Sequence, residues 1–479
     1  PASTATTMKL LIVLLSAVAV HSASLYDRYQ FEKDVASQLD INAFHKAMEK
    51  LNKEVGEQAE EEKEEVKGLL ASAVPIGKEK AEEEEEEEAV NKELSSDLFE
   101  GDIVLTNEQV AAISEANSTD RSKRQAFIVK YPSNIWPTTG VVPFSFAAGV
   151  SDNVKALFRE ATKFWSENTC IRFQENGAGT NKIVVVSKGG CYSSVGMVGG
   201  TQELSLNNEG CAIFATASHE LEHALGVFHE QSRYDRDTYI SLNKDNISPT
   251  MLYNFDKETQ ARTSNFDVPY EFGSNMHYTP DSFAKNYEIP SIIATSPYKE
   301  YQNSMRGHQP SFLDILLVNK FYKCDQKCAG RQNFCQNGGY LDVNTCTTCK
   351  CPEGWGGRDC TQKPDGCVVE LTASTQYQSK SVTLGNYGEK GIRFTTCTYL
   401  INAPAGKRIE VKFDGLWGGW GQGCKTGGVE IKTKKDLRAR GFRFCGEKPA
   451  ASVWSETNRL PVILFRNNDQ IRADIQFRY

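Results

Sequence analysis

The chain has 479 residues, of which 54 are Lys or Arg and 62 are Asp or Glu, and its formal net charge is −8. This length excludes a single hydrophobic core, and we expect three or four domains. The acidic balance does not favour a nucleic-acid partner, and we expect none.

The first predicted element is a leader. Residues 8–23, MKLLIVLLSAVAVHSA, combine a lysine, an apolar run and small residues at the end, as in a secretory signal peptide. The run is too short to span a membrane, and no later stretch is apolar enough. We therefore predict a leader and signal peptide over residues 1–23 and a secreted, extracellular protein. In such a protein, the N-x-S/T sequences at Asn117 and Asn246 are candidate N-glycosylation sites.

Residues 24–124 differ in composition from the rest of the chain. They contain 27 acidic and 13 basic residues, a net charge of −14, and no cysteine. Residues 125–479 carry a net charge of +5. Glutamate runs at 60–62 and 82–88 predict a solvated spacer, because like charges repel and bury no core.

The join between these two compositions reads RSKRQAF. R-x-K-R is a sequence that furin-type proteases of the secretory pathway cut, here after Arg124. We therefore predict that residues 24–124 are an acidic prosegment, that a furin-type protease activates the chain, and that the mature protein begins at Gln125.

Strand and helix patterns follow in the mature chain. Residues 134–146, NIWPTTGVVPFSF, predict a loop and then a strand with β-branched and aromatic residues. In residues 151–170, SDNVKALFREATKFWSENTC, apolar residues recur at helical spacing behind a Ser151 N-cap, so we predict a helix. Residues 181–190, NKIVVVSKGG, predict a strand with a turn.

The stretch SHELEHALGVFHEQSRYDRD holds three of the seven histidines. His219 and His223 are four residues apart, so both rings project from one face of a helix. Gly226 lets the helix stop and the chain turn, which brings His229 back toward the first pair. Three neutral imidazole nitrogens with one open position are typical of a catalytic zinc site.

The wider spacing H-E-x-x-H-x-x-G-x-x-H is the metzincin pattern, in which Glu220 is the carboxylate beside the first ligand. A bare H-E-x-x-H also occurs on ordinary helices, but five fixed positions make chance a poor explanation. A methionine turn belongs below the metal, and GSNMHYTP at 273–280 supplies Met276.

Together, HELEHALGVFHEQSRYDRD and SNMHY resemble the astacin family of zinc endopeptidases. The family motif continues through five further positions: Glu230, Arg233, Asp235, Arg236 and Asp237. The resemblance implies a two-lobed α+β metzincin fold for residues 125–324, with the cleft between the lobes. It also implies one zinc ion per catalytic domain, bound by His219, His223 and His229.

The same resemblance assigns roles to the other site residues. Glu220 is expected to be the general base that takes a proton from a zinc-activated water and passes it to the leaving amine. Tyr278 matches the tyrosine that ligates zinc at rest and then stabilises the transition state. Met276 is expected to be an apolar floor, and Glu230 to meet the buried new N-terminus after activation.

The prosegment carries a motif of this family near its end. Phe99, Gly101 and Asp102 in LFEGDIVLT match the F-x-G-D of astacin prosegments, where the aspartate binds the zinc and displaces the water. An anionic oxygen is a suitable zinc ligand. The resemblance therefore implies a latent zymogen silenced by Asp102, and a simple acidic turn is the alternative interpretation.

Two residues depart from the usual family features. Gln125 can cyclise to pyroglutamate, which would remove the positive charge that Glu230 would meet, so either further trimming occurs or the contact passes through water. Met197 stands where many astacins carry arginine, so substrate preference is not transferred from the family.

The fourteen cysteines fall into three groups. The four in the protease region allow three pairings by sequence alone, and the resemblance implies Cys170–Cys324 and Cys191–Cys211. The six that follow lie in a stretch too small for a core of its own. Residues 325–361 resemble an EGF-like module with unassigned disulfides, and a zinc knuckle is the competing interpretation.

Residues 367–479 contain the last four cysteines among alternating strands such as RIEVKFDGLW and IRADIQFRY. This pattern resembles an all-β CUB sandwich, for which we expect the pairs Cys367–Cys397 and Cys424–Cys445. CUB modules usually bind proteins, and an inert spacer is the alternative.

These features predict a secreted metalloendopeptidase, made as a latent zymogen, that cleaves extracellular matrix or cuticle proteins. Astacins with EGF-like and CUB modules occur among developmental and matrix-processing enzymes, and the nematode enzymes of moulting, hatching and cuticle assembly resemble this chain. The alternative of a different class is a non-catalytic secreted binding protein, which the intact Glu220 and Tyr278 oppose.

Overall fold

The structure is a computed structural model, and it describes residues 40–57, 90, 91, 94, 96–116, 135–260, 263–419, 423–446, 449, 451–468 and 470–479. Some sequence predictions lie outside the described residues: the signal peptide, both glutamate runs, the sequence at Asn117, and the processing site at Arg124 and Gln125. Within the described ranges, no helix is long and apolar enough to cross a membrane.

Residues 24–124, which we call the prosegment after the prediction above, contain two helices and one short strand in their described part. They are helix α1 (Ile41–Glu57), strand β1 (Ile103–Val104) and helix α2 (Asn107–Ala116). Phe44 and Leu51 of α1 are buried in an apolar cluster that also contains Tyr192 and Tyr253 of the protease region. The prosegment therefore shares a core with the region that follows it.

The first half of the protease region is a six-stranded sheet with two helices. Its elements are β2 (Val142–Phe146), α3 (Asp152–Asn168), β3 (Phe173–Glu175), β4 (Lys182–Val186), β5 (Tyr192–Ser194), β6 (Thr201–Ser205) and α4 (Phe214–Ala224). The strand order is β1-β5-β6-β4-β2-β3, with β5 antiparallel to β6 and β1 parallel to β5. The prosegment strand β1 thus covers what would otherwise be the exposed edge of β5.

Helix α3 confirms the helix predicted from residues 151–170. The Ser151 side chain caps it by accepting a hydrogen bond from the Val154 backbone N–H at 3.2 Å. Its apolar positions are buried in the main core: Val154, Leu157, Phe158, Ala161 and Trp165. Capping and a continuous apolar face therefore explain both the start and the orientation of this helix.

The second half of the protease region has little regular structure. It contains the antiparallel pair β7 (Ile240–Leu242) and β8 (Ile292–Ala294), several short 3-10 helices, and helix α5 (Phe312–Phe321). Aromatic side chains fill its core, among them Phe255, Tyr270, Phe272, Tyr278 and Tyr301. The disulfide Cys170–Cys324 joins the chain after α3 to the chain after α5, and so links both halves.

All fourteen cysteines are paired. The four pairs expected from the resemblance are present: Cys170–Cys324, Cys191–Cys211, Cys367–Cys397 and Cys424–Cys445. The small region between them has the pairs Cys328–Cys346, Cys335–Cys349 and Cys351–Cys360. It holds only the strand pair β9 (Tyr340–Leu341) and β10 (Cys349–Lys350). The zinc-knuckle interpretation is wrong, because no thiolate remains there to bind a metal.

Residues 367–479 form a sandwich of two β-sheets. Its strands are β11 (Val368–Thr372), β12 (Gln378–Leu384), β13 (Lys390–Asn402), β14 (Glu410–Trp417), β15 (Gly427–Ile431), β16 (Phe442–Phe444), β17 (Val453–Trp454), β18 (Arg459–Asn468) and β19 (Ile471–Arg478). The sheets have the orders β11-β13-β18-β15-β16 and β12-β19-β14-β17. Alternating side chains such as Val411, Val462 and Ile475 meet in one core between the sheets.

The disulfide linking the two halves of the protease region should contribute more stability than the local one. The Cys170–Cys324 bond closes a loop with a sequence separation of 154 residues, whereas Cys191–Cys211 spans 20. Loop-closure entropy predicts losses of about 5 and about 3 kcal/mol, respectively, when each pair is replaced by alanine. Urea unfolding of both double variants measures this order, and a larger loss for the local pair would contradict it.

Candidate metal centre

Helix α4 and the turn after it bring three histidines together. His219 and His223 lie one turn apart on α4, which is buried along its whole length. The helix ends at Ala224, and Gly226 follows with φ +103°, where an added Cβ would lie 2.8 Å from Phe321 Cε1. The ring centroid of His229 then lies 4.7 Å from that of His223 and 5.2 Å from that of His219. The positive φ and the close approach of Phe321 explain why glycine occupies this turn.

Each histidine uses its Nδ1 atom for a contact away from the centre. His219 Nδ1 donates to the Asn275 carbonyl and His223 Nδ1 to the Val227 carbonyl, both at 2.7 Å. His229 Nδ1 lies 2.7 Å from the Glu100 carboxylate. Because these carbonyl and carboxylate oxygens can only accept, each Nδ1 carries a proton, and the three Nε2 atoms face one common point.

The Asp102 carboxylate of the prosegment lies beside that common point. Its Oδ2 lies 3.2 Å from His219 Nε2 and 3.1 Å from His229 Nε2, and its Oδ1 lies 3.3 Å from His223 Nε2. One atom from each of these four buried residues lies within 4.8 Å of the others. Burial raises the pKa of Asp102, but the neighbouring His229 and His223 hold it well below its usual range.

The donor set fits a zinc ion. Three imidazole nitrogens and one carboxylate oxygen are the ligand types and the number that tetrahedral zinc takes. His223 Nε2 and Asp102 Oδ1 are buried, yet neither makes a hydrogen bond. A cation between them would satisfy both atoms, since orphaned buried polar atoms are costly.

The tight turn that carries Asp102 explains the F-x-G-D spacing. Phe99 is 1% exposed, and its backbone N–H and carbonyl both bond to Ile103 at 2.9 Å. Glu100 and Gly101 have positive φ, and a Cβ on Gly101 would lie 2.9 Å from Phe283 Cζ. The apolar anchor and the glycine thus allow Asp102 to reach the histidines.

Glu100 also contacts two site residues, and sequence reasoning gave it no role. Its carboxylate accepts from His229 Nδ1, and its backbone carbonyl accepts a hydrogen bond from the Tyr278 hydroxyl. The Tyr278 hydroxyl is therefore bonded to the prosegment backbone. The motif leaves this position open as "x", so only the folded arrangement identifies it.

The prosegment has a second polar anchor at Asn91. Its Nδ2 donates to the Gly101 carbonyl at 3.0 Å and to the Cys191 carbonyl at 2.6 Å, and its Oδ1 accepts from the Cys191 N–H at 2.8 Å. Asn91 Oδ1 would lie only 2.4 Å from a Cβ on Gly190. One buried amide thus joins the Asp102 turn to the disulfide loop of the protease region.

The remaining predicted site residues lie around the histidines. Glu220 is on α4 next to His219 and is fully buried. Met276 belongs to the main apolar core and is 1% exposed, which suits an apolar floor. Glu230 accepts hydrogen bonds from Arg233 Nη1 at 2.9 Å and from the Glu271 N–H at 2.8 Å. Burial raises the pKa of Glu230 to about 7.

His277 does not join the cluster, although it lies between Met276 and Tyr278. Its Nδ1 donates to the Tyr278 carbonyl at 2.7 Å, and its Nε2 accepts from the Tyr270 hydroxyl at 2.8 Å. Burial lowers the pKa of His277 to about 4, so the ring is neutral at physiological pH. Its role is to hold the turn below the metal centre.

The structure buries Asn246, a candidate N-glycosylation site. The side chain is 8% exposed, and its Nδ2 donates to the carbonyls of Asn286 and Ile289 at 3.0 and 2.7 Å. A glycan would replace one of these hydrogens and needs open solvent. The N-x-S sequence carries no information on burial, which is why sequence reasoning included it.

Comparison with known proteins agrees with this geometry. Residues 128–323 match the family model of the astacin peptidases, and residues 367–479 match the CUB domain. The zinc metalloproteinase nas-31 of Caenorhabditis elegans is 39% identical over 396 residues, covering 80% of this chain and 64% of the relative. The chain spans less than two thirds of the first two curated relatives, nas-31 and nas-32, at 64% and 59% of their lengths.

Two further C. elegans relatives are covered more fully by this chain. Zinc metalloproteinase nas-29 is 33% identical over 419 residues (81% of this chain, 77% of the relative). Zinc metalloproteinase nas-17 is 34% identical over 391 residues (80% and 86%). A solved structure, the hatching enzyme zinc-protease HCE-1 from Oryzias latipes (Medaka fish), is 38% identical and covers 40% of this chain and 95% of its own, with TM-score 0.37. On the extent of these matches, the chain belongs to the astacin family of zinc metalloproteinases and carries a CUB domain.

Proposed function

We propose that this chain is the latent precursor of a secreted zinc-dependent endopeptidase that cleaves extracellular matrix or cuticle proteins. The observation that carries the proposal is the convergence of three histidine Nε2 atoms on the Asp102 carboxylate, at 3.1 to 3.3 Å. A purely structural zinc site would not take its fourth ligand from a removable segment.

The protease's own residues would hold the metal and move the proton. His219, His223 and His229 would bind zinc, which supplies a Lewis acid for the scissile carbonyl and lowers the pKa of the attacking water. Glu220, buried beside His219, would accept a proton from that water and deliver it to the leaving amine. Tyr278, once released from the Glu100 carbonyl, would donate its hydroxyl hydrogen to the developing oxyanion.

Latency would come from direct occupation of the site. Asp102 would be the fourth zinc ligand and would exclude the attacking water. Because the prosegment shares a buried core with the protease region, the aspartate is held close even if its own affinity for zinc is modest. Inhibition in this form requires no unfolding of the protease.

Activation would follow cleavage after Arg124 by a furin-type protease. Gln125 would become the first residue of the mature chain, and by resemblance to astacins its amino group would meet the buried carboxylate of Glu230. Burial raises the pKa of Glu230 to about 7 although Arg233 lies beside it, so a further positive group would stabilise the ionised carboxylate. A pyroglutamate at Gln125 would leave that contact to water.

The proposed organisation assigns residues 1–23 to the leader, 24–124 to the prosegment, 125–324 to the protease, 325–361 to an EGF-like module and 367–479 to the CUB domain. Seven disulfides support a secreted, oxidising location. We propose that the two C-terminal modules contact protein substrates.

A first prediction concerns the base. In the processed enzyme, Glu220→Gln should lower kcat/KM by at least about 100-fold while zinc content stays near one per chain, because only proton transfer is lost. The matched control is Glu222→Gln, a buried carboxylate on the same helix whose pKa burial already raises well above its usual range. Hydrolysis of a quenched peptide measures both, and a fully active Glu220→Gln enzyme with bound zinc would exclude this role.

A second prediction concerns ligation. His229→Ala should weaken zinc binding and abolish hydrolysis together, since one of three protein donors is removed. Zinc content by mass spectrometry and peptide cleavage are measured on the processed chain, with circular dichroism to verify folding. Unchanged zinc content would show that His229 is not the third ligand.

A third prediction concerns latency. In an Arg124→Ala background, which keeps the chain uncut, Asp102→Ala should produce measurable peptidase activity because the fourth position opens. Replacement of Glu82–Glu88 by serine and glycine should leave the uncut chain silent, since that run is proposed to be a spacer. If the glutamate replacement becomes active and Asp102→Ala stays silent, inhibition resides in the acidic run.

A further inference from the structure

The loop between β15 and β16 of the CUB sandwich inserts into the second half of the protease region. Phe442, the residue of β16 that follows this loop, packs into the aromatic core of the protease region, with its ring 4.7 Å from that of Tyr301. Arg440, two residues earlier, is only 6% exposed. The sandwich is therefore docked against the protease through a buried contact.

Arg440 makes three hydrogen bonds to the protease region. Its Nε donates to the Gly273 carbonyl at 3.1 Å and its Nη2 to the Gln309 carbonyl at 3.2 Å. Its backbone N–H donates to the Glu271 carboxylate at 3.0 Å. A Cβ on Gly273 would lie 2.4 Å from Arg440 Cδ, so the side chain lies directly on the glycine.

Gly273 begins the turn that orients the first zinc ligand. The next residue, Ser274, donates its hydroxyl to Asp314 at 2.6 Å, and the Asn275 N–H donates to the same carboxylate at 3.1 Å. The Asn275 carbonyl then accepts from His219 Nδ1 at 2.7 Å. The carbonyl that Arg440 holds is thus two residues from the carbonyl that fixes His219.

A second series of hydrogen bonds connects Arg440 with the chain next to His229. Glu271, which accepts from the Arg440 N–H, donates its own N–H to the Glu230 carboxylate at 2.8 Å. Glu230 directly follows His229, and its N–H donates to the Met276 carbonyl at 2.8 Å. Arg440 therefore supports both ends of the segment that lies below the histidines.

Charges on the sandwich keep this loop in place. Glu430 is 2% exposed, accepts from the Gly441 N–H at 2.7 Å and from Arg443 Nε at 3.2 Å, and lies 3.6 Å from Arg440 Nη1. Burial raises the pKa of Glu430, but Arg443, Lys432 and Arg440 lower it to about 2. A buried, ionised group with several partners gives the loop a defined shape before it meets the protease.

We propose that Arg440 of the CUB domain is a positioning residue for the zinc centre, acting through Gly273 and Asn275 on His219. This inference rests on the proposed metal centre. Groups that orient a metal ligand typically change metal affinity by 10- to 100-fold when removed. Because Arg440 acts through the intervening turn, we expect the lower end of that range.

The test compares four variants of the processed chain, which keeps both the protease region and the CUB domain. Arg440→Ala should release zinc to a chromophoric chelator about 10-fold faster and lower kcat several-fold with little change in KM. Arg440→Lys, which keeps one donor, should lie between it and the wild type. Arg438→Ala removes an arginine two residues away that pairs with Asp436, and it should behave as the wild type.

A docking control separates positioning from simple stability. Phe442→Ala loosens the same interface without touching Gly273, and thermal unfolding gives the stability lost in each variant. Faster zinc release by Arg440→Ala than by Phe442→Ala at equal loss of stability supports the proposal. Equal zinc-release rates in these two variants, or a wild-type rate in Arg440→Ala, overturn the positioning role of Arg440 and leave the proposed function standing. A wild-type chain that binds no zinc overturns it together with the proposed function.

Discussion

The orientation of three imidazole rings is the constraint on which this site depends. A metal can be bound only if each Nε2 lone pair faces the same point, and that requires each Nδ1 to donate to a fixed acceptor. For His219 and His223 the acceptors are backbone carbonyls of the protease, at Asn275 and Val227. The end of the helix near Gly226 places the Val227 carbonyl, and the turn at Met276 places the Asn275 carbonyl.

His229 differs from the other two histidines, because its acceptor belongs to the prosegment. Glu100 contributes its carboxylate to His229 and its carbonyl to Tyr278, while the Asp102 carboxylate lies against the histidine Nε2 atoms. One turn of four residues thus occupies the ligand site, engages a ligand's second nitrogen and binds the tyrosine hydroxyl. In the proposed scheme, release of this segment changes all three contacts at once, so latency and activation form one event.

Sequence reasoning reached the parts of the site that local geometry determines. Helical spacing identified His219 and His223, the glycine turn identified His229, and the family resemblance identified Asp102. Sequence reasoning missed Glu100, Asn275 and Asn91 because their contacts join segments that are far apart in the chain. Many of these contacts also use backbone carbonyls, which every residue type has. The burial of Asn246 was missed for the same reason, since residues far away in the chain decide whether a loop is buried. The pairing in the small cysteine-rich region also needed three-dimensional proximity.

The second half of the protease region shows why distant contacts matter so much here. It has few helices or strands to hold its backbone, yet it supplies the turn beneath the three histidines. Its order must come from side chains: Asp314 on α5, the Cys170–Cys324 bond, and an aromatic core that includes Phe442 of the CUB domain. The boundary between the protease region and the CUB domain is clear in the sequence, but side chains from both regions pack together in this aromatic core. A catalytic geometry built on irregular backbone requires rigid neighbours, and in this chain one of those neighbours is the β-sandwich.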